Sequence, residues 1–197
     1  MSAPRTRQLM PREERQASIL RAAATAFART GFAATSMEDV AAEAGITKLI
    51  VYRHFESKEE LYRAVLARIE DRLREEFTVL FGQPDRRGST VRALLRVGRD
   101  DPDGLRLLLV HARREPDFAE YADGVRDRSI ELAAALVGDT IADPTIRRWA
   151  TRALVTYVYG AVLEWLDVGD ADLDEVFAEH ATEGLVALYS SWVTPPS

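Results

Sequence analysis

The segment between Thr35 and Phe55, TSMEDVAAEAGITKLIVYRHF, restricts the fold more than any other part of the chain. Its apolar positions follow helical spacing on both sides of Gly45 rather than the alternation of a strand. Two short helices joined by a tight turn cross closely, which requires a small side chain at the crossing and a positive φ at the turn. Ala41 supplies the first and Gly45 the second. The segment therefore predicts a helix-turn-helix.

The second of these helices is expected over residues 48–54, and one of its sides must face outward. Val40, Ile46 and Val51 fall on the inner faces of the pair and hold the two helices together. The outer side and edges are left to Thr47, Lys48, Leu49, Ile50, Tyr52 and Arg53. A short helix placed in this way can present three or four side chains to the major groove of DNA.

Helical periodicity also dominates the rest of the chain, so the predicted fold class is all-α. Thr35 with Glu38, and Ser57 with Glu60, have the spacing of capping boxes, and Gly31 is a candidate left-handed C-cap. Breakers separate the predicted helices, which span residues 12–30, 35–44, 48–54, 57–80, 89–98, 104–114, 118–137, 144–168 and 173–192, with a loop over 82–88.

These boundaries predict an N-terminal three-helix DNA-binding domain followed by a larger helical domain. The expected segments are a flexible arm (1–11), the helix-turn-helix domain (12–56), a connecting helix (57–80), a C-terminal helical ligand-binding and dimerisation domain (81–193) and a tail (194–197).

Charge is distributed unevenly along the chain. The net charge is −6, yet residues 1–55 carry eight Arg and Lys against five Asp and Glu, a net of +3, while the remainder carries 18 against 27, a net of −9. A positive head on an acidic body suits a protein that touches phosphate at one end. The absence of cysteine excludes disulfides and thiolate metal sites. The chain starts without the apolar core of a secretory signal, so we expect a cytoplasmic protein without a metal or cofactor.

A longer set of residues resembles the N-terminal domain of the TetR/AcrR family of bacterial regulators. The resemblance covers about residues 12–65 and rests on Gly31-Phe32, Thr35, Val40-Ala41, Gly45-Ile46, the run Val51-Tyr52-Arg53-His54-Phe55, Ser57-Lys58 and Leu61. It implies a dimeric transcriptional regulator that binds a near-palindromic DNA operator and responds to a small-molecule effector. Repression is the commoner outcome in that family.

The resemblance also implies which residues touch DNA: Thr47, Lys48, Tyr52, His54 and Lys58 match contacting positions of the family. Leu49 and Arg53 share the outer side of the recognition helix, and the amides at Thr35 and Ser36 suit a phosphate. Thr35 has the alternative of serving only as a helix cap. Arg5 and Arg7 either reach the minor groove or belong to an uninvolved arm.

The chain departs from the family at Leu49 and Ile50, where members often carry small residues. Neither side chain can hydrogen-bond to a base edge. Each either contacts a thymine methyl group or turns inward, so no operator sequence is predicted.

In the C-terminal domain the effector candidates are His111, Tyr121, Trp149, Tyr157 and Trp165, because they combine apolar bulk with a polar group. The candidates for a dimer interface, as formed by the last two helices in the family, are Gly160, Glu164, His180, Gly184 and Ala187. Simple core packing is the alternative for both sets.

The sequence argues against two other classes of protein. An enzyme is disfavoured because the sequence lacks the common nucleophile, phosphate-loop, dinucleotide and zinc motifs, and its histidines at 54, 111 and 180 form no ligand pair. A helical protein-interaction module that does not bind DNA remains the alternative. The outward Lys48, Tyr52 and Lys58 argue against it.

Overall fold

A computed structural model of the chain describes residues 11–82 and 87–193. Throughout these ranges the regular secondary structure is helical, which confirms the predicted fold class. Most of the predicted arm, including Arg5 and Arg7, lies outside the described residues, as do residues 83–86 of the predicted loop and the tail 194–197. The chain divides after Val65 into two compact units, which we call the N-terminal and the C-terminal unit.

The N-terminal unit contains helices α1 (Arg12–Thr30), α2 (Met37–Glu43) and α3 (Lys48–Tyr52) and the first turns of α4 (Lys58–Phe81). Its core holds an aromatic cluster in which the Tyr62 ring lies edge-on to Phe27 at 4.9 Å and to Phe32 at 5.1 Å. Phe32 reaches this cluster because Gly31 adopts φ 81°, which turns the chain back as α1 ends. The ψ of 165° at Gly31 differs from the predicted left-handed cap.

The capping box of α2 lies one residue later than the sequence predicted. Ser36 is the N-cap: its hydroxyl accepts from the Asp39 amide at 3.2 Å, and the Asp39 carboxylate accepts from the Ser36 amide at 2.8 Å. Thr35 is instead buried, and its hydroxyl donates to the Gly31 carbonyl at 2.7 Å. The sequence offers two cap candidates in a row, and burial of Thr35 beneath α1 selects the second.

The C-terminal unit contains the rest of α4 and helices α5 (Ser89–Asp100), α6 (Pro102–Arg106), α7 (Pro116–Val137), α8 (Pro144–Val168) and α9 (Asp174–Val193). The helix predicted over 104–114 is wrong in two respects. It begins at Pro102, because the Asp101 carboxylate caps the amide of Gly104 at 2.8 Å. It then continues as a π-helical turn, Leu107–His111, and a 3₁₀ turn, Ala112–Arg114. The leucines at 107–109 are all buried, so the apolar pattern carries no period that would reveal the change.

Ion pairs fix α4 against its neighbours within the C-terminal unit. Arg68 and Asp101 are nearly buried and lie 2.9 Å apart, close enough for an ion pair but not aligned for a hydrogen bond. The exposed pair of Arg72 and Asp100 follows one turn later at 2.6 Å. Glu70 accepts hydrogen bonds from Tyr121 and Arg128 of α7. None of the helices in the described residues is long and apolar enough to cross a membrane.

Candidate nucleic-acid interface

The turn between α2 and α3 has the geometry that the sequence predicted. Gly45 adopts φ +64°, and the amide of Ile46 donates to the carbonyl of Ala41 at 2.9 Å. Ala41 is 3% exposed at the helix crossing, while Val40 and Val51 are fully buried. The two helices therefore form a rigid pair, with α3 held by its inner face.

The opposite face of α3 is open to solvent. Thr47, Lys48 and Arg53 are exposed, and the exposed fractions of Leu49 and Tyr52 are 62% and 43%. Ile50 is half-buried. The structure thus distinguishes the two apolar residues that the sequence left open, because Ile50 turns toward the domain while Leu49 faces outward.

Lys48 is held at the centre of this face by an acidic neighbour. Its ammonium group pairs with the Glu38 carboxylate of α2 and lies 5.4 Å from the centre of the Tyr52 ring. The hydrogen bond to Glu38 raises the pKa of Lys48. Sequence reasoning missed Glu38 because it assigned this carboxylate to the capping box, and the shift of the cap to Ser36 releases it.

His54 is half-buried at the end of α3. Partial burial, followed by the nearby charges of Arg12 and Arg15, lowers its pKa from the ordinary value of 6.5, which favours the neutral imidazole. A neutral imidazole retains one N–H for a phosphate oxygen. Arg12 and Arg15 were not singled out in the sequence, although both belong to the positive N-terminal segment.

Two other predicted contact residues have structural roles. The Lys58 ammonium group donates to the carbonyls of Phe32 at 2.8 Å and Ala33 at 3.3 Å, and lies 4.4 Å from the centre of the Phe32 ring. It thereby ties α4 to the chain that enters α2. Thr35 is 2% exposed, so its hydroxyl faces the interior.

Three of the five effector candidates contact residues outside the set in the C-terminal unit. Trp149 is 54% exposed and packs edge-on against Trp192 at 4.8 Å. Trp165 stacks on Phe177 at 4.7 Å and donates its indole N–H to Asp174 at 2.7 Å. Tyr121 donates to Glu70, and burial followed by this bond raises its pKa far above the usual range.

His111 and Tyr157 are half-buried, and burial, followed by the charges of Arg114 and Arg106, lowers the pKa of His111. A cavity of about 290 Å³ opens in the same unit, with Ser129, Leu136, Leu154, Val158, Tyr159 and Leu185 among its walls. Among the described residues, its lining includes none of the five candidates.

The dimer candidates lie mainly on open surface. Gly160, Glu164, His180 and Ala187 are exposed on α8 and α9. Gly184 differs from these four, since a Cβ atom at this position would collide with the Tyr157 hydroxyl of the same chain. Exposed apolar side chains on the same two helices include Val168, Val176 and Val186.

An all-helical chain with a rigid helix-turn-helix and an open second helix has the structure of a helix-turn-helix DNA-binding protein. Comparison with known proteins identifies the family. Residues 19–65 match the family model for bacterial regulatory proteins of the tetR family. The HTH-type transcriptional activator FasR of Mycolicibacterium smegmatis is 36% identical over 183 residues, which cover 90% of this chain and 82% of the relative.

A second relative, an HTH-type transcriptional repressor of Mycobacterium tuberculosis, is 39% identical over 128 residues, covering 62% of this chain and 65% of the relative. The fold is similar to the crystal structure of a TetR-like regulator from Rhodococcus sp. RHA1, with a TM-score of 0.75, 24% identity, and coverage of 92% of this chain and 97% of that one. The chain therefore belongs to the TetR family and is a DNA-binding transcriptional regulator. Its relatives are regulators, not enzymes.

Proposed function

We propose that the chain binds a near-palindromic operator as a homodimer, with α3 of each protomer in the major groove of one half-site. The observation that carries the proposal is the open face of α3, which projects from a helix pair fixed at Ala41 and Gly45. A five-residue helix that is buried only at Val51 has most of its surface free for a partner.

The contacts divide into those that read bases and those that hold phosphates. Lys48 exchanges Glu38 for a phosphate or for guanine O6 and N7, and Leu49 contacts a thymine methyl group. The phosphate contacts come from Thr47, Tyr52, Arg53 and His54. The Ser36 amide is left out because it donates to the Asp39 carboxylate. Lys58 supports this surface by holding the chain before α2 and adds positive charge beside it. The burial of Thr35 leaves its side chain out of the contact set.

A dimer has a physical reason beyond the family resemblance. One recognition helix of five residues reads too few bases for specificity, and a two-fold pair doubles the contacts. We propose that α8 and α9 form the interface through Gly160, Glu164, His180 and Ala187, because these residues are exposed on the same helices as Val168, Val176 and Val186. Gly184 instead allows α8 and α9 to approach each other within one chain.

The protein acts in the cytoplasm, where the chromosome of a bacterium lies, and represses transcription, because occupying a promoter excludes polymerase without any further contact. A small-molecule effector releases it by favouring the arrangement of the units that binds DNA less well. Helix α4 is the proposed connection, since it contains residues of both units.

Selection of bound sequences from a random duplex library tests the proposal directly. The purified protein should enrich a near-palindrome with two half-sites, and its affinity should fall steeply between two salt concentrations. The double variant Lys48→Ala/Tyr52→Ala should enrich nothing while keeping its helical circular dichroism. Equal enrichment by both proteins would remove α3 as the recognition helix. A promoter reporter that carries the selected site should then show repression. Activation of the reporter would mean that the protein acts as an activator, like FasR.

A further inference from the structure

The cavity of the C-terminal unit is long and follows one face of α7. Ser129, Ala133, Leu136 and Val137 all line it, at the spacing of one helix face. Eight residues of α-helix separate the first of these from the last, so the cavity extends about 12 Å along the helix. Side chains of α8 and α9 close the opposite wall.

The described residues that line the cavity carry no charge. Among the described residues that line it, the side chains are hydrocarbon or hydroxyl-bearing; Leu132, Leu154, Val155, Val158, Leu185 and Val186 supply much of the apolar surface. A charged ligand would lose its hydration here without gaining an ionic partner, which costs several kcal/mol. An uncharged apolar ligand would gain from leaving water.

One polar pair on the wall is able to orient such a ligand. Tyr159 donates its phenolic proton to the Ser129 hydroxyl at 2.8 Å, and Ser129 donates to the Val125 carbonyl at 3.2 Å. Burial raises the pKa of Tyr159, so the phenol keeps its proton. Each hydroxyl has a single proton, and both protons are used, which leaves oxygen lone pairs as the free capacity of the pair.

The hydroxyl of a second lining residue is committed in the same way. Tyr189 donates to the Thr140 hydroxyl at 2.7 Å, and Thr140 donates to the Val137 carbonyl at 2.6 Å. Both tyrosines that line the cavity therefore offer acceptors rather than donors.

We propose that this cavity binds an uncharged, elongated and mostly apolar molecule that donates a hydrogen bond to the pair of Ser129 and Tyr159. An apolar cavity of roughly 150 Å³ holds benzene, so a half-open volume of about 290 Å³ suits a ligand of two ring systems. The half-open apolar rim at Leu132 and Leu136 of α7 gives the ligand a way in. The link between this ligand and DNA release rests on the proposed function.

Two dyes that differ by one sulfonate group test the charge of the ligand. N-phenyl-1-naphthylamine is neutral, has two apolar ring systems and carries one N–H donor; 8-anilinonaphthalene-1-sulfonate adds a negative charge to the same skeleton. Fluorescence titration of the full chain should give saturable binding of the neutral dye, at least tenfold tighter than binding of the sulfonate. Equal affinity for the two dyes, or no saturable binding of the neutral dye, would overturn the proposal.

Matched variants test the place of binding. Ala133 lines the cavity whereas Ala135, on another face of α7, is exposed outside it. Ala133→Phe should reduce affinity for the neutral dye at least tenfold, and Ala135→Phe should leave it unchanged. Both proteins should unfold at similar temperatures. Equal effects of the two variants would show that the dye binds elsewhere.

The donor preference is tested by removing single polar atoms. Tyr159→Phe should reduce the affinity for the neutral dye about three- to tenfold. The affinity for 1-benzylnaphthalene, in which a methylene group replaces the N–H, is measured by its displacement of the dye. This affinity should be the same in Tyr159→Phe and in the wild-type protein. Tyr157→Phe, outside the cavity lining, is the control. Equal losses for both ligands would refute the hydrogen bond.

The remaining outcomes separate this inference from the proposed function. Dye binding that leaves affinity for the selected DNA unchanged would retain the ligand class and remove the effector role. Loss of dye binding as protein concentration drives self-association would show that a second copy of the chain covers the cavity, and would overturn the inference.

Discussion

The two units of this regulator are held together by different kinds of interaction. The N-terminal unit relies on a capping box, a glycine turn and an aromatic cluster, and ion pairs within it, such as Arg29 with Glu43, are largely exposed. The C-terminal unit consists of long helices cross-linked by ion pairs, of which Arg68 with Asp101 is nearly buried. Interactions between residues close in sequence thus position the DNA-binding surface, whereas the cavity is formed by packing between helices that are distant in sequence.

The largest expected effect is the loss of the buried ion pair. Asp101→Ala leaves the Arg68 guanidinium without its carboxylate in a site where Arg68 is 15% exposed, and also removes the cap on Gly104. We expect the free energy of unfolding to fall by about 3–5 kcal/mol. Asp100→Ala, which removes the exposed pair with Arg72, should cost about 0–1 kcal/mol. Urea denaturation of both variants measures the difference, and equal losses would contradict the contrast between buried and exposed pairs.

The second largest effect is expected on DNA affinity, at the open face of the N-terminal unit. Lys48→Ala should weaken binding to the selected operator about 10- to 100-fold, because it removes a charged contact from each half-site. The change should also reduce the slope of affinity against salt. Arg74→Ala removes a more exposed cation from the C-terminal unit and should leave affinity unchanged. Similar losses in the two variants would indicate a response to net charge alone.

The N-terminal unit could be predicted in detail because its determinants are close in sequence. Ala41, Gly45 and Val51 lie within one short segment, and the structure confirms the geometry inferred from them. The error at Thr35 and Ser36 arose where two neighbouring residues fit the same cap, and only tertiary burial decides between them.

The cavity could not be predicted from the sequence for the opposite reason. Ser129, Leu154 and Leu185 come from three separate helices, and no local spacing relates them. The aromatic candidates combine bulk with a polar group, but Trp149 and Trp165 pack against other aromatic rings in the structure. A tryptophan is equally suited to binding an effector and to packing against another aromatic ring.

The third largest effect is expected on the stability of the N-terminal unit, at two N-caps. The Ser36 hydroxyl accepts a backbone hydrogen bond, whereas Thr47, at the N-cap of α3, makes no such side-chain bond. Ser36→Ala should therefore lower the free energy of unfolding by about 1 kcal/mol, and Thr47→Ala by much less. Thermal unfolding of the two variants measures the difference. A larger loss for Thr47→Ala would show that the capping role is assigned to the wrong residue.

A smaller effect is expected at the base that Leu49 contacts. Replacing thymine with deoxyuridine in the selected half-site removes only a methyl group, which is worth roughly 0.8 kcal/mol when fully buried. The substitution should weaken DNA binding by the wild-type protein a few-fold but leave DNA binding by Leu49→Ala unaffected. Ile50→Val, which shortens the half-buried neighbour, should keep the wild-type preference for thymine over deoxyuridine. If Leu49→Ala also prefers thymine, another residue contacts the methyl group.

The smallest expected effect concerns acid stability in the C-terminal unit. The hydrogen bond from Arg99 is the main cause that lowers the pKa of Asp174, and the indole N–H of Trp165 adds to it. The folded state thus favours the ionised carboxylate, so its contribution is complete above the unfolded pKa of about 3.9 and is lost as the pH falls through the lower folded value. Because both partners are about a quarter exposed, solvent limits the contribution to less than about 1 kcal/mol.

Denaturation at several pH values measures the difference in free energy of unfolding between the wild-type protein and Asp174→Asn. This stability gap should be constant between about pH 5 and 7 and should close below about pH 4. Asp172→Asn, at an exposed position that forms no ion pair within the described residues, should show no such gap, and a gap that widened with acid would reverse the assigned sign.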